Sequence, residues 1–379
     1  MTLVPKIGRK GNAPAERHYP CEACGADLRF APGMDQLICD HCGHTQEIPR
    51  ALGRGRSGLR EMALSEGLSE GGAPAEIEEV RTLKCPNCAA NIEMRGAVHA
   101  SECPFCATPV VADTGPSRRL KPQGLVPFAV TEAEARAAVG KWLGGLWFAP
   151  NGLVDYARRG RKLTGVYAPF WTFDADTQSA YTGQRGDAYY VSKEVRVQVD
   201  GRWETRTQQE RRIRWSTVSG RVARTFDDVL IYAARSLPPA YLRALQPWDL
   251  SALIAYSPDY LSGFEAEGYT VALAEGHREG RAEMARVIES DVRRAIGGDE
   301  QRIGAIETDF AAETFKHVLL PVWTAAYKFR GRSYRFVVNA QTGQVRGDRP
   351  WSAWKIAFAV LLVAVLVGGL VWLGNLQQG

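Results

Sequence analysis

Between residues 125 and 347 the chain has no phosphate-binding loop, no HExxH motif and no GxSxG elbow. Each absence removes a class of chemistry. The nearest approach to GxxxxGK[ST] is Gly140-Lys141, but Trp142 follows it and the required earlier glycine is missing, so the backbone cradle of a nucleotide hydrolase has no counterpart here. Without HExxH or GxSxG, that stretch has no signature of a zinc peptidase or a nucleophile-elbow hydrolase. The N-terminal stretch MTLVPKIGRKGNAPAERHYP carries basic residues but no apolar run of a signal peptide, so nothing directs the chain to an oxidising compartment. Charge excess is also small. The net +5 over 379 residues is compatible with lying near anionic lipid heads, but it is not the concentrated basic stripe of a dedicated nucleic-acid binder.

What is present begins with the cysteines. Cys21, Cys24, Cys39 and Cys42 form CxxC-x14-CxxC, and Cys85, Cys88, Cys103 and Cys106 repeat that spacing sixty-four residues later, which uses all eight cysteines of the chain. Thiolates two residues apart grip one edge of a tetrahedral ion, and a second pair arriving after a hairpin completes a four-sulfur shell. The expectation is two rubredoxin-like zinc ribbons with one structural zinc ion each. Asp27-Leu28 and Asn91-Ile92 stand at the same offset from the first knuckle, so both copies are expected to fold alike. Disulfides are the alternative, because eight is an even number. His41 and His44 flank the knuckle of CDHCGH, yet four cysteines already fill a shell, which leaves no open position for catalysis either.

At the other end, residues 356–374 read IAFAVLLVAVLVGGLVWLG without a charge. At about 1.5 Å per residue this run approaches the roughly 30 Å of a hydrocarbon core, and Trp351, Trp354 and Trp372 stand at its boundaries. The expectation is a single transmembrane helix over 355–374. Arg346, Arg349 and Lys355 precede the uncharged run, which by the positive-inside rule places the N-terminal bulk in the cytoplasm of a bacterial inner membrane.

The expected organisation is multi-domain. A first ribbon at 18–50 is followed by a flexible linker at 51–80, with a short helix around 59–68, and a second ribbon at 81–113. An α+β domain with antiparallel hairpins fills 125–347. Thr131 and Glu134 form a capping box ahead of a helix to about Leu143. Asp200-Gly201 between two alternating runs signals a hairpin. Met284, Val287, Ile288, Val292 and Ile296 line one helical face up to Gly297-Gly298. His277 and His317 are expected at the surface or half-buried. Arg202, Trp203, Arg206, Arg211, Arg212, Arg214 and Trp215 form the best candidate for nucleic-acid contact, since aromatics beside arginines suit single strands, although Glu194, Glu204 and Glu210 interrupt them.

In this order of parts, two ribbons, the aromatic block VYAPFWTFDADTQSAYTG, the hairpin YKFRGRSYRFVVNAQTGQVRGDRPWSAWKI and the apolar run, the chain resembles bacterial zinc-ribbon proteins with a C-terminal transmembrane anchor. Some of these carry a name taken from the primosomal protein N′ (replication factor Y) superfamily II helicases. The resemblance implies a membrane-tethered, non-enzymatic adaptor whose partners are the lipid bilayer and proteins such as flotillin-like or phage-shock components. A nucleic-acid-binding zinc-ribbon protein is the alternative, and an ATP-driven helicase the third reading.

Overall fold

The computed structural model describes residues 19–48, 59, 61–69, 77–93, 101–106, 108–110, 113–150, 163–199, 202–329 and 332–376. The first cysteine unit holds β1 (Leu28–Phe30), β2 (Gln36–Cys39) and β3 (Thr45–Glu47), paired in that order. Next come β4 (Met62–Ala63) and a short helix, Leu64–Leu68. The second unit comprises β5 (Ile77–Lys84), β6 (Asn91–Glu93), β7 (Ser101–Glu102), β8 (Pro109–Val110) and β9 (Asp113–Leu120). The remaining strands are β10 (Gly124–Leu125), β11 (Thr164–Val199), β12 (Arg202–Tyr232), β13 (Ile254–Ala255), β14 (Glu265–Ala266), β15 (Glu300–Phe329), β16 (Arg332–Asn339) and β17 (Val345–Gly347).

Three of these strands dominate. With 36, 31 and 30 residues, β11, β12 and β15 far exceed the usual five or six. β11 pairs antiparallel with β12 on one edge and with β15 on the other. The residues expected to turn the hairpin, 200 and 201, lie outside the described residues, but Val199 pairs with Arg202 on either side of them. The sheet is mixed: β10 runs parallel to β15 and β14 parallel to β11.

Strand alternation sorts the core by face. Tyr167, Trp171 and Phe173 of β11, with Phe315, Leu319 and Trp323 of β15, look to one side, where they meet Phe30 and Leu37 of the first cysteine unit and Met284, Ile288, Val292 and Ile296 of the long helix Leu273–Ile296. Val166, Ala168 and Phe170, with Val318, Leu320 and Val322, look to the other side and meet Leu83, Ile92 and Phe105 of the second unit. The two cysteine units therefore cover opposite faces of one sheet. Backbone bonds dock each of them: Phe30 N to Ser262 O at 3.0 Å for the first, Gly268 N to Asn91 O at 2.8 Å for the second. Within the stretch expected to be a linker, Met62 and Leu64 are buried against the same sheet.

Local signals set the helices. Thr131 and Glu134 form the reciprocal capping box at the start of Glu132–Gly144. The long helix stops at Gly297, whose φ of 67° suits a residue without a side chain. Val287, expected on its apolar face, is exposed.

A C-terminal helix spans Ala353–Leu376, tied at its start by Ser352 N to Phe148 O at 2.8 Å and Lys355 Nζ to Ala149 O at 2.9 Å. Here the sequence expectation is corrected. Among the described residues no helix is long and apolar enough to cross a membrane. The transmembrane helix at 355–374 is withdrawn, and with it the tail anchor, the bilayer and the flotillin-like or phage-shock proteins as partners, the inner-membrane location and the membrane-tethered adaptor.

Candidate metal centres and a candidate nucleic-acid interface

In each cysteine unit the four sulfurs lie within 4.8 Å of one another. The crossing pairs measure 3.6 Å for Cys21–Cys42, 3.5 Å for Cys24–Cys39, 3.5 Å for Cys85–Cys106 and 3.6 Å for Cys88–Cys103. A tetrahedron with metal–sulfur bonds of about 2.3 Å has edges of about 3.8 Å, whereas a disulfide needs about 2.05 Å. The cysteines therefore stand as two four-thiol groups, each able to hold a metal ion, and not as cross-links. Tight turns build the corners: Gly25 N bonds Cys21 O, Gly43 N bonds Cys39 O and Ala89 N bonds Cys85 O, at 2.8, 2.9 and 3.0 Å. All three turning residues have positive φ, which costs Ala89 about 1–2 kcal/mol that glycine would not lose. His41 is exposed and His44 half-buried, outside the thiol set.

The two units differ in their surroundings. Their internal pairing is alike: Pro20 bridges Asp27 as Lys84 pairs with Asn91, and β2 pairs with β3 (Leu37 with Gln46, Ile38 with Thr45) as β7 pairs with β8 (Ser101 with Val110, Glu102 with Pro109). Glu267, bridged to Ile92, is buried where the second unit docks, and its Oε2 accepts a 2.5 Å bond from Tyr232 Oη. Burial pushes its carboxyl up to about 8, against the hydrogen bonds from Tyr232 and Ser236. Beside this contact a cavity of about 740 Å³ opens between Cys88, Phe105, Cys106, Ser236 and Trp248.

A second charged group lies where β12 and β15 each carry an extra residue opposite β11. Register shifts against β12 between Phe173 and Ala175 and against β15 between Asp174 and Asp176 bring Asp174 and Asp228 to Lys316, whose ammonium lies 2.8 Å from Asp228 Oδ1, 3.2 Å from Asp174 Oδ2 and 2.9 Å from Glu61 Oε1. Burial pulls the lysine down, but hydrogen bonds to Asp228 and Glu61 hold it above its ordinary value. Asp174, Asp227 and Asp228 have the spacing of a cation site, and Lys316 supplies the cation. The expectation for His317 is corrected: it is 4% exposed, stacked near Trp171, with Nδ1 3.0 Å from Leu120 O. Burial pulls it down to about 4. His277 is half-buried and bonds Glu313 at 2.6 Å.

The basic and aromatic residues singled out in the sequence lie on the far half of the β11–β12 hairpin. β15 stops pairing at Gly186–Glu300, while β11 and β12 continue from Asp187–Arg214 to Val199–Arg202 as a two-stranded arm that no other described strand joins. Its root is fastened to β15: Ala188 N bonds Asp299 Oδ2 at 2.7 Å, Arg211 meets Glu300 at 3.0 Å, and the Arg302 guanidinium stacks 3.9 Å over the Trp215 ring. Sequence reasoning missed the β11 half of the arm, Tyr189, Tyr190, Lys193 and Arg196. Counting pairs back from the Asp200-Gly201 turn, with Val199 opposite Arg202, would have placed them.

No family model matches the chain, and no solved structure does. It is similar to the uncharacterized protein YdjG of Bacillus subtilis (strain 168), 25% identical over 372 residues that cover 93% of this chain and 98% of that one. The resemblance to anchored zinc-ribbon proteins is thereby corrected on two counts: no family model supports it, and no described helix is long and apolar enough to serve as the anchor.

Proposed function

We propose that this chain is a nucleic-acid-binding zinc-ribbon protein without catalytic activity of its own. Cys21, Cys24, Cys39 and Cys42 hold one zinc ion and Cys85, Cys88, Cys103 and Cys106 a second. Sulfur separations near the edge of a zinc–thiolate tetrahedron favour that metal. Zinc supplies folding free energy to units too small to bury a core of their own. Because the units cover both faces of the central sheet, the metals brace the body from which the arm projects.

The observation that carries the reading is the arm. A two-stranded ribbon free on both edges is marginal in water, and this one is long, open to solvent and studded with arginine, lysine and exposed aromatic rings. Cationic side chains on a projecting ribbon attract phosphate and release counterions from it.

The test is titration of fluorescent DNA and RNA with metal-loaded protein over a range of salt. Binding with log affinity falling linearly in log salt, by several units of slope, at two zinc ions per chain by metal analysis and without nucleic-acid-stimulated ATP hydrolysis, is the expected result. No binding to any nucleic acid at low salt overturns the proposal.

A further inference from the structure

The register of the arm divides its side chains between two faces, because directly paired residues in antiparallel strands share a face. Tyr189 pairs with Arg212, Lys193 with Gln208, Val195 with Arg206, and Asp187 with Arg214. This face holds Lys193, Arg206, Arg212 and Arg214 along with the valines, and its tyrosine is engaged, since the Arg214 guanidinium lies 5.8 Å from the Tyr189 ring. The opposite face pairs Tyr190 with Arg211, Ser192 with Gln209, Arg196 with Thr205 and Gln198 with Trp203. A 3.1 Å bond between Gln209 Nε2 and Ser192 Oγ runs along it.

On that second face Tyr190 is 65% and Trp203 70% exposed. Trp215, further toward the root, is already occupied: Arg302 covers its ring, and it lies so close over Gly186 that a β-carbon there would meet it at 3.0 Å. The two open rings are about eight residues apart along β12, roughly 27 Å at the rise of a strand. Between them stand Arg196, Ser192, Gln209 and the threonines 205 and 207, with Glu194 as the acid among these described side chains.

Resting on the nucleic-acid reading, we infer that this face is a stacking platform for single-stranded nucleic acid. Unpaired bases stack on Tyr190 and Trp203, Arg196 between them meets the phosphates, and the more cationic reverse face adds long-range attraction. Stacking requires an exposed base face, which a duplex buries within its own helix, and it tolerates any sequence because every base has a π-face. The arginines and the acceptor-rich backbone of a nucleic acid are complementary in charge.

The experiment compares a fluorescent dT oligonucleotide of about 20 residues with a 20-base-pair duplex, using the full metal-loaded chain and the variants Y190A, W203A and the double variant. The expected result is a single-strand preference of at least about tenfold, with each substitution weakening single-strand binding roughly five- to a hundredfold and leaving duplex binding and the salt slope unchanged. Substitution at two exposed rings leaves the fold intact, which zinc content and circular dichroism verify. Equal affinity for single strand and duplex, or single-strand binding indifferent to both rings, overturns this inference and leaves the broader reading standing. Absence of binding to either overturns both.

Discussion

At the scale of single residues, the burial of His317 has the clearest energetic consequence. Its neutral ring donates from Nδ1 to the Leu120 carbonyl, and its Nε2 has no partner among the described residues. A proton on that nitrogen would be stranded between Trp171 and Tyr269 beside Arg119. In the unfolded chain the ring titrates near its usual 6.5 or so, whereas in the fold it is held to about 4. The unfolded state therefore binds more protons in this window. Stability is fully present above the unfolded value and is lost as pH falls from about 6.5 through about 4, by roughly 3 kcal/mol. Urea titrations across that range, wild type against His317→Asn, should show the loss shrink in the variant. An unchanged pH slope would remove His317 as its cause.

This residue also marks where sequence reading ran out. The alternation that buries His317 belongs to a strand whose neighbours, Trp171 and Tyr269, come from elsewhere in the chain, so no local pattern reveals it. Lys316 is similar: it reads as a surface cation until the bulges of β12 and β15 bring Asp174 and Asp228 to it. By contrast, the capping box at Thr131, the cysteine knuckles and the glycine stop after Ile296 depend on contacts a few residues long, and they were legible.

Among the elements, the long helix illustrates how close packing sets an architecture. Gly276 and Gly280 face the sheet, and a β-carbon on Gly276 would lie 2.6 Å from the Trp171 ring, one on Gly280 2.8 Å from that of Phe173. Both rings are nearly fully buried. The sequence LAEGHREG displays the glycines, but only the register of β11 explains them. Gly276→Val is expected to push the helix off the sheet and cost about 1–3 kcal/mol in overpacking, measurable by thermal or chemical denaturation, while Ala274 on the solvent side tolerates the same change. Equal costs at the two positions would contradict this packing. The extraordinary length of β11 and β12 was less legible than their turn, because Gly183 and Gly186 punctuate the alternation and most of the far half is exposed on both faces.

For the whole molecule, the apolar C-terminal run shows the limit of composition. Uncharged residues predicted a helix, and Ala353–Leu376 is one, but the membrane role attached to that run does not hold among the described residues. Both cysteine units were read from spacing alone, whereas their placement on opposite faces follows from strand alternation spread over more than two hundred residues.

The arm also changes how the molecule moves. A compact chain of this length has a radius of gyration of about 21 Å, and twelve residue pairs beyond the root extend roughly 40 Å at the strand rise. Drag on such a projection falls on a small share of the mass, so the protein should sediment more slowly than a sphere of equal weight. Joining Asp187 to Arg214 through a two-residue Asn-Gly turn should lower the frictional ratio more than the lost mass alone accounts for. In sedimentation velocity, an unchanged ratio would mean that the arm lies folded along the body in solution; a lower one would mean that it sweeps a volume of solvent far larger than its own, which widens the capture radius of the protein.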